Sequence, residues 1–426
     1  MNPPSATAAL RRVVAAEGVS NFGSMLSRLA LPWLAALGLQ ASPADMAGLL
    51  VADVAAAAVG ALLLGPWVDR QGKRRVMLLA DAGRLLLLAL AAWATWRGWA
   101  SMPLLMAVAA GQGLLTLAFE LARSAWIAQH LAAPALPGAN AQLAAVGSLS
   151  ETAAFALGGW LYQGLGAAWA LLLDAATYAL SAACLRGLPA DGPAAGPPAA
   201  DAPAPQSATE PGWWTQTADG WREIVHRPDL RALAAIEAAL ALAMALAGTS
   251  YMIFVSRDLG LATGPLGLVF ALGGLGAVLG AALAPWLGRR LGPGRAMVVG
   301  LAAGAVGAAC VPLAQGAAGL GALAWLAAQQ VLGDAGQTVH AVHDRSWRQR
   351  AVSPARLARI DAGLRSVGQA ATLAGAWLGA TLGAHWSTAE LLWLAAACTA
   401  LAALVAAAGL GPGAGFEPGA GHNGPQ

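Results

Sequence analysis

The sequence predicts an all-α integral membrane protein, with about twelve transmembrane helices in two six-helix bundles. Three observations predict it. Of 426 residues, 58% are hydrophobic and only 11% charged, with a mean hydropathy of +0.61; soluble domains carry roughly 25% charged and 45–50% apolar residues. Apolar runs of about 20 residues recur along the whole chain, the length that crosses a hydrocarbon core of about 30 Å at 1.5 Å per residue. A Pro/Ala/Gly-rich break near the middle divides those runs six and six.

In order, residues up to Arg12 form a short polar lead. The predicted helices are then 13–38, 45–64, 76–97, 102–122, 140–163, 167–186, 230–255, 265–287, 296–315, 320–342, 361–384 and 388–410. The implied organisation is a first bundle over 1–186, a linker over 187–229, a second bundle over 230–410 and a flexible tail over 411–426. Within the linker, Gly187–Gly212 is too poor in apolar residues to offset its ordering entropy and is expected to be disordered. Trp213–His226, with Trp213, Trp214, Trp221 and Ile224 among polar residues, reads as a short amphipathic helix at the membrane surface.

Basic residues fix the orientation. With the N-terminus inside, nearly every Lys and Arg falls on the cytoplasmic side, and only Arg97 and Arg257 fall outside. The expectation is a multi-pass protein of the plasma (inner) membrane with both termini cytoplasmic. No cleavable signal is predicted, because Asn21, Ser24, Ser27 and Arg28 interrupt the first apolar run. Cys184, Cys310 and Cys398 each lie inside an apolar run and read as small buried hydrophobes. The net charge of +3 points to no nucleic-acid partner.

Gly65–Arg75, GPWVDRQGKRR, is expected to be a tight basic turn between the second and third helices, with Gly65 and Gly72 for backbone freedom, Asp69 as the lone acid, and Arg70, Lys73, Arg74 and Arg75 as bases. The pattern repeats. Pro66-Trp67-Val68-Asp69-Arg70 is echoed by Pro285-Trp286-Leu287-Gly288-Arg289, and Arg75-Val76-Met77-Leu78 by Arg295-Ala296-Met297-Val298. Six predicted helices separate the copies, so both loops share one side, as in a parallel repeat about the membrane normal.

Gly-x-x-x-Asp-Arg-x-Gly-x-Arg-Arg between two spanning helices resembles the loop 2–3 signature of the major facilitator superfamily. Asn21-Phe22-Gly23, Leu29-Ala30-Leu31-Pro32, Leu173-Asp174-Ala175-Ala176-Thr177-Tyr178 and Arg227-Pro228-Asp229-Leu230-Arg231 are similar to its siderophore and macrolide exporter branch. Where that branch often has an acid after the first-helix Asn-x-Gly, this chain has Ser24. The resemblance implies the major facilitator fold and a gate latch at the signature, Gly65, Asp69, Arg70, Gly72, Arg74 and Arg75. Asp69 would meet a helix N-terminus near Ser366 or Asp361, while Arg70 and Arg74 would pair with Asp81 or Glu120. The plainer reading is that these bases only set topology.

Charges inside helices cost roughly 2.5–3.5 kcal/mol each on insertion scales and usually face a cavity or partner. Asp53, Glu237, Glu151 and Asp334 are therefore candidates for proton coupling, with Arg28 and Asp53 placed to neutralise one another. The alternative for each is a structural polar contact. Asp174 reads as structural. One proton crossing about 100 mV supplies about 2.3 kcal/mol, enough for a solute gradient of roughly forty-fold. Helices 1, 4, 7 and 10 are central in this fold, which implies a substrate pathway lined by Asn21, Arg28, Gln112, Glu237, Tyr251, Gln330 and Asp334.

His340, His343 and Asp344 have metal-like spacing but no further ligand, and no metal is expected. Gly274, Gly276, Gly280, Gly300 and Gly304 read as close helix packing rather than a dinucleotide loop. No nucleophile–base pair or phosphate loop supports an enzyme, and no cofactor is expected. The reading is a monomeric secondary active transporter working by alternating access, a proton-coupled exporter of small amphiphilic, drug- or siderophore-like molecules. An importer or lipid flippase of the same fold, or a non-transporting scaffold or receptor, is the alternative.

Overall fold

The computed structural model describes residues 3–131, 135–189 and 221–410. Among the described residues the chain forms twelve long helices and no strand: α1 (Pro3–Trp33), α2 (Pro43–Arg70), α3 (Lys73–Trp96), α4 (Met102–His130), α5 (Leu136–Leu165), α6 (Ala167–Arg186), α7 (Pro228–Ile253), α8 (Thr263–Leu291), α9 (Pro293–Leu313), α10 (Leu320–Ala351), α11 (Pro354–Leu382) and α12 (Thr388–Gly409). Of the described helices, α2, α3, α4, α6, α7, α8, α9 and α12 contain stretches long and apolar enough to cross a membrane. The other four carry Glu17, Arg28, Glu151, Asp334, Asp344 and Arg365.

Local chemistry sets the ends. Proline in the first turn of α2, α4, α5, α7, α9 and α11 costs no hydrogen bond, since those N–H groups lack intrahelical partners. Ser42 with Asp45, and Ser387 with Glu390, form reciprocal capping boxes at the starts of α2 and α12. α1 and α7 both end in one π-helical turn, Leu34–Gly38 and Phe254–Asp258, closed by matching bonds from Leu39 N–H to Leu34 O and from Leu259 N–H to Phe254 O.

Several helices outrun their apolar runs. The polar lead before Arg12 is part of α1, and α2 continues through Gly65 as far as Arg70. The expected turn over Gly65–Arg75 therefore shrinks to Gln71 and Gly72. Gly72 has φ −62, which any residue adopts, so its predicted conformational freedom is not used. Its counterpart Gly292 does use it, with φ +81. The helices persist because backbone hydrogen bonding does not depend on hydropathy, and the basic side chains supply caps. Lys73 Nζ donates to the carbonyls of Val68, at 2.7 Å, and Gln71, at 3.2 Å.

The chain divides into two compact units, Met1–Ser207 with Leu261–Ala271, and Ala208–Gly260 with Leu272–Gln426. In the first, α1 packs on α5 and α6, α2 on α4, and α3 on α4 and α6. In the second, α7 packs on α11 and α12, and α9 on α10 and α12. Four of those five positional pairs recur, so the sequence repeat is also a packing repeat. Met77, Phe119, Trp126 and Leu185 anchor the first core, and Leu230, Ile236, Met297, Trp347 and Ile360 the second.

Small residues let backbones meet in the second unit. A Cβ at Gly276 would sit 2.7 Å from Val331 O, and one at Gly300 would sit 2.6 Å from Gly336 O. The expected close packing is present at Gly276, Gly280 and Gly300, whereas a Cβ at Gly304 would meet only Thr399, at 3.8 Å. Of the expected surface helix over Trp213–His226, only 221–226 lies within the described residues, and it is helical. Ile224 is buried in the second core, and Trp221 Nε1 donates to Ser366 Oγ at 3.1 Å, so this turn docks on its bundle. The rest of that segment, most of the expected disordered stretch, and the tail lie outside the described residues.

Candidate functional site

Each unit holds a polar cavity built from its own helices. In the first, a cavity of about 550 Å³ lies among α1, α4 and α5. Glu17 of α1 and Arg123 of α4 form an ion pair in it, with 17% of each side chain exposed. In the second, a cavity of about 580 Å³ lies among the corresponding helices α7, α10 and α11. Glu237 lines it, exposed to the open space, with Asp344, Arg348 and Arg365 as its charged neighbours. Arg348 bridges Asp344 on its own helix and Asp361 on α11, at 2.5 Å each. Glu17 and Glu237 stand equally far ahead of the matching π turns of α1 and α7. The repeat therefore places a carboxylate at one position in both cavities.

A separate charged cluster fills the interior of the first unit. Arg84 of α3 pairs with Asp81 one turn earlier, and both are buried. The guanidinium is held between the rings of Phe119, at 4.7 Å, and Tyr178, at 4.4 Å. Asp174 of α6, also fully buried, accepts from Ser27 of α1. Thr177 Oγ1 donates to the Asp174 carbonyl at 2.7 Å and reaches its Oδ1 at 3.2 Å. Gly23 permits this crossing, since a Cβ there would overlap Asp174 and Thr177.

The expected gate residues are placed as follows. The surroundings of Gly65 and the side chain of Asp69 lie outside what is described. Arg70 and Arg75 are exposed. Arg74 donates to the carbonyls of Leu185, at 3.3 Å, and Arg186, at 2.5 Å, and Arg12 donates to Gly187, so basic side chains cover the C-terminus of α6. The expected pairing of Asp81 with Arg70 or Arg74 is corrected, because its guanidinium partner is Arg84, inside the bundle. Glu120 is exposed on α4. Asp361, expected near a gate contact, is paired with Arg348.

The other candidates are dispersed. Asp53 turns toward α4, with Oδ1 2.6 Å from where a Gly113 Cβ would stand, and Arg28 acts on it electrostatically without closing an ion pair. Asn21 Nδ2 donates to Gly147 O at 2.9 Å, joining α1 to α5. Gln112 Nε2 donates to Arg84 O at 3.1 Å, joining α4 to α3. Glu151 is exposed on α5. Asp334 and Gln330 turn against Gly273 of α8, and Tyr251 is within electrostatic reach of Asp334. His343 contacts Ala284 O at 2.9 Å, with Gly288 leaving room for its ring. That room is a physical reason for glycine where the first half has Asp69.

Sequence reasoning missed Arg84, Glu17, Arg123 and Arg348. Arg84 carried a signal, an acid–base pair three residues apart in an apolar run. Glu17 carried another, since it matches Glu237 once the halves are aligned. Arg348 carried a third, Asp344 four residues earlier on the same helix, whereas Arg123 had none, because its partner Glu17 is on another helix.

A family model, Major Facilitator Superfamily, matches residues 13–340. No curated protein matches the sequence. Among solved structures, the fold is similar to a bacterial homologue of the iron transporter ferroportin (TM-score 0.72, 15% identity, covering 95% of this chain and 99% of that one). It is also similar to the nucleoside transporter NupG (0.69, 14%, 96% and 98%) and to the POT family transporter PepTSo (0.67, 13%, 94% and 97%). At these identities the likeness concerns the fold, and the family match covers most of the chain. A repeated pair of six-helix units, the signature stretch between α2 and α3 and the matching family model lead to one conclusion: the chain belongs to the major facilitator superfamily and is a membrane transporter of that type.

Proposed function

We propose that the chain is a proton-coupled exporter of small amphiphilic molecules, related to the siderophore and macrolide exporters and working by alternating access in the inner membrane as a monomer with both termini cytoplasmic. The observation that carries this reading is the polar cavity of the second unit, where Glu237 stands in open space among Asp344, Arg348 and Arg365. A carboxylate so placed can exchange a proton and meet a cationic solute, while the apolar Leu233, Leu357 and Leu364 of the same cavity suit a hydrophobic body. Asp53, near Arg28, is a further candidate for coupling, in the first unit. Asp69, Arg70, Arg74 and Arg75 are retained as the gate latch of this proposal.

The test uses purified protein in liposomes with an imposed proton gradient and a panel of drugs and siderophores. The expected result is solute movement against the proton flow, abolished by a protonophore and reduced at least tenfold in Glu237→Gln. Movement with the proton flow would establish an importer instead. Solute flux indifferent to the proton gradient would end the coupling claim, and full activity in both Glu237→Gln and Asp53→Asn would remove those two residues from it.

A further inference from the structure

The charges around the cavity of the second unit do not all find partners within it. Arg348 is taken up by Asp344 and Asp361, at 2.5 Å each. Three ionic side chains remain on the lining: Glu237 of α7, Arg345 near the end of α10 and Arg365 of α11. Among the described residues none of the three closes an ion pair or a hydrogen bond. Arg365 acts on Glu237 electrostatically from beyond ion-pair distance, so a gap separates the carboxylate from the guanidinium. The first cavity differs here, because its two charges, Glu17 and Arg123, neutralise each other directly.

A buried atom gives a second, independent sign of a ligand. His340 lines the same cavity, is only 8% exposed, and its Nδ1 has no hydrogen-bond partner. Buried polar atoms are nearly always paired, so an open one on a cavity wall marks where a ligand's polar group completes the set. His343, by contrast, is bonded to Ala284 O. No group of three metal-ligating side chains converges among the described residues, so recognition here falls to charge and hydrogen bonds. Guanidinium groups suit a carboxylate or phosphate, a carboxylate suits an ammonium, and the three leucines of the lining suit an apolar chain. A volume of about 580 Å³ holds a molecule of drug size.

We propose that this cavity binds a zwitterionic amphiphile. Its acidic group, carboxylate or phosphate, lies against Arg345, Arg365 and His340 Nδ1, and its primary amine lies against Glu237. This rests on the reading of the cavity as the solute site of an exporter and adds the charge pattern of the solute. A purely cationic molecule leaves both guanidiniums unanswered, and a purely anionic one meets the Glu237 carboxylate. A ligand with both charges close together bridges the gap between Glu237 and Arg365. The same chemistry occurs in a free amphoteric solute and in the headgroup of an ethanolamine phospholipid, which basic pockets between helices can hold.

The experiment uses the full-length protein in phosphatidylcholine nanodiscs, with each variant's fold confirmed by cooperative thermal unfolding. The solute arm measures Kd for α-aminocaprylic acid, for caprylate, which lacks the amine, and for heptylamine, which lacks the carboxylate. The expected Kd for the amino acid is lower than either of the others by about tenfold, the effect of one charged hydrogen bond. Arg345→Gln and Arg365→Gln each weaken the amino acid and caprylate about tenfold without weakening heptylamine, whereas Glu237→Gln weakens the two amines and not caprylate. Gly368→Ala acts on Glu237 without changing charge, since its Cβ would stand 2.8 Å from Oε1, and it decides the matter should Glu237→Gln fail to fold. The lipid arm reads the rise in Tm when phosphatidylethanolamine replaces phosphatidylcholine, a rise lost in Glu237→Gln and Arg365→Gln. A positive solute arm identifies a free amphoteric molecule, and a positive lipid arm alone identifies the headgroup. Neither arm positive, caprylate or heptylamine bound as tightly as the amino acid, or losses that ignore the ligand's charge overturn the proposal. Gradient-driven flux of purely cationic solutes without zwitterion binding rejects this site chemistry and leaves the exporter reading intact. Zwitterion binding without any gradient-driven flux rejects the exporter reading and keeps the site.

Discussion

The Glu17–Arg123 pair makes a quantitative test of the first cavity. It ties α1 to α4, and each side chain is 17% exposed, so the charges are largely but not wholly withdrawn from water. At an effective dielectric constant near 20, unit charges about 3 Å apart attract by roughly 5 kcal/mol. Desolvation offsets most of that, leaving a coupling of about 1–2 kcal/mol. Removing only one partner should cost more, about 2–3 kcal/mol, because the other stays mostly buried without compensation. The assay is equilibrium unfolding in detergent for wild type, Glu17→Ala, Arg123→Ala and the double variant, combined as a double-mutant cycle. Glu120→Ala, exposed on the same helix, is the control and should shift stability by no more than about 0.5 kcal/mol. A coupling below about 0.3 kcal/mol, or an Arg123→Ala cost no larger than the control, would refute the pair as a structural tie.

Three further outcomes follow from named contacts. Gly288→Ala should destabilise by about 1–3 kcal/mol, because its Cβ would stand 2.5 Å from His343 Cε1, and Gly288→Ala/His343→Ala should recover much of the loss in thermal unfolding. Lys73→Met should cost about 1–2 kcal/mol in the same measurement, since the ammonium of Lys73 donates to two carbonyls at the end of α2 while itself buried. Gln112→Leu should lower stability by about 1 kcal/mol, through its lost bond to Arg84 O, and leave solute flux unchanged. A tenfold loss of flux at normal stability would instead support Gln112 as part of the substrate pathway.

Membrane residence, the helix count and the two-fold repeat were legible in the sequence because each depends on properties that accumulate along the chain. Apolar length, sparse charge and the recurrence of Pro66-Trp67 as Pro285-Trp286 need no knowledge of neighbours. Helix ends were less legible, since hydropathy marks where lipid would begin and not where backbone hydrogen bonding stops. For that reason α2 runs through Gly65 to Arg70. The partners of buried charges were the least legible of all. Asp81 was visible, but whether Arg74, Arg70 or Arg84 meets it depends on which face of α3 turns inward, and that is set by the packing of α3 on α4 and α6. Likewise Arg123 reads as one more basic residue until the fold brings Glu17 to it. The sequence by itself determined that charges lie within the helices, whereas only the tertiary structure decided which are balanced, because electrostatic partnership acts over a few ångströms and chain separation carries no record of it.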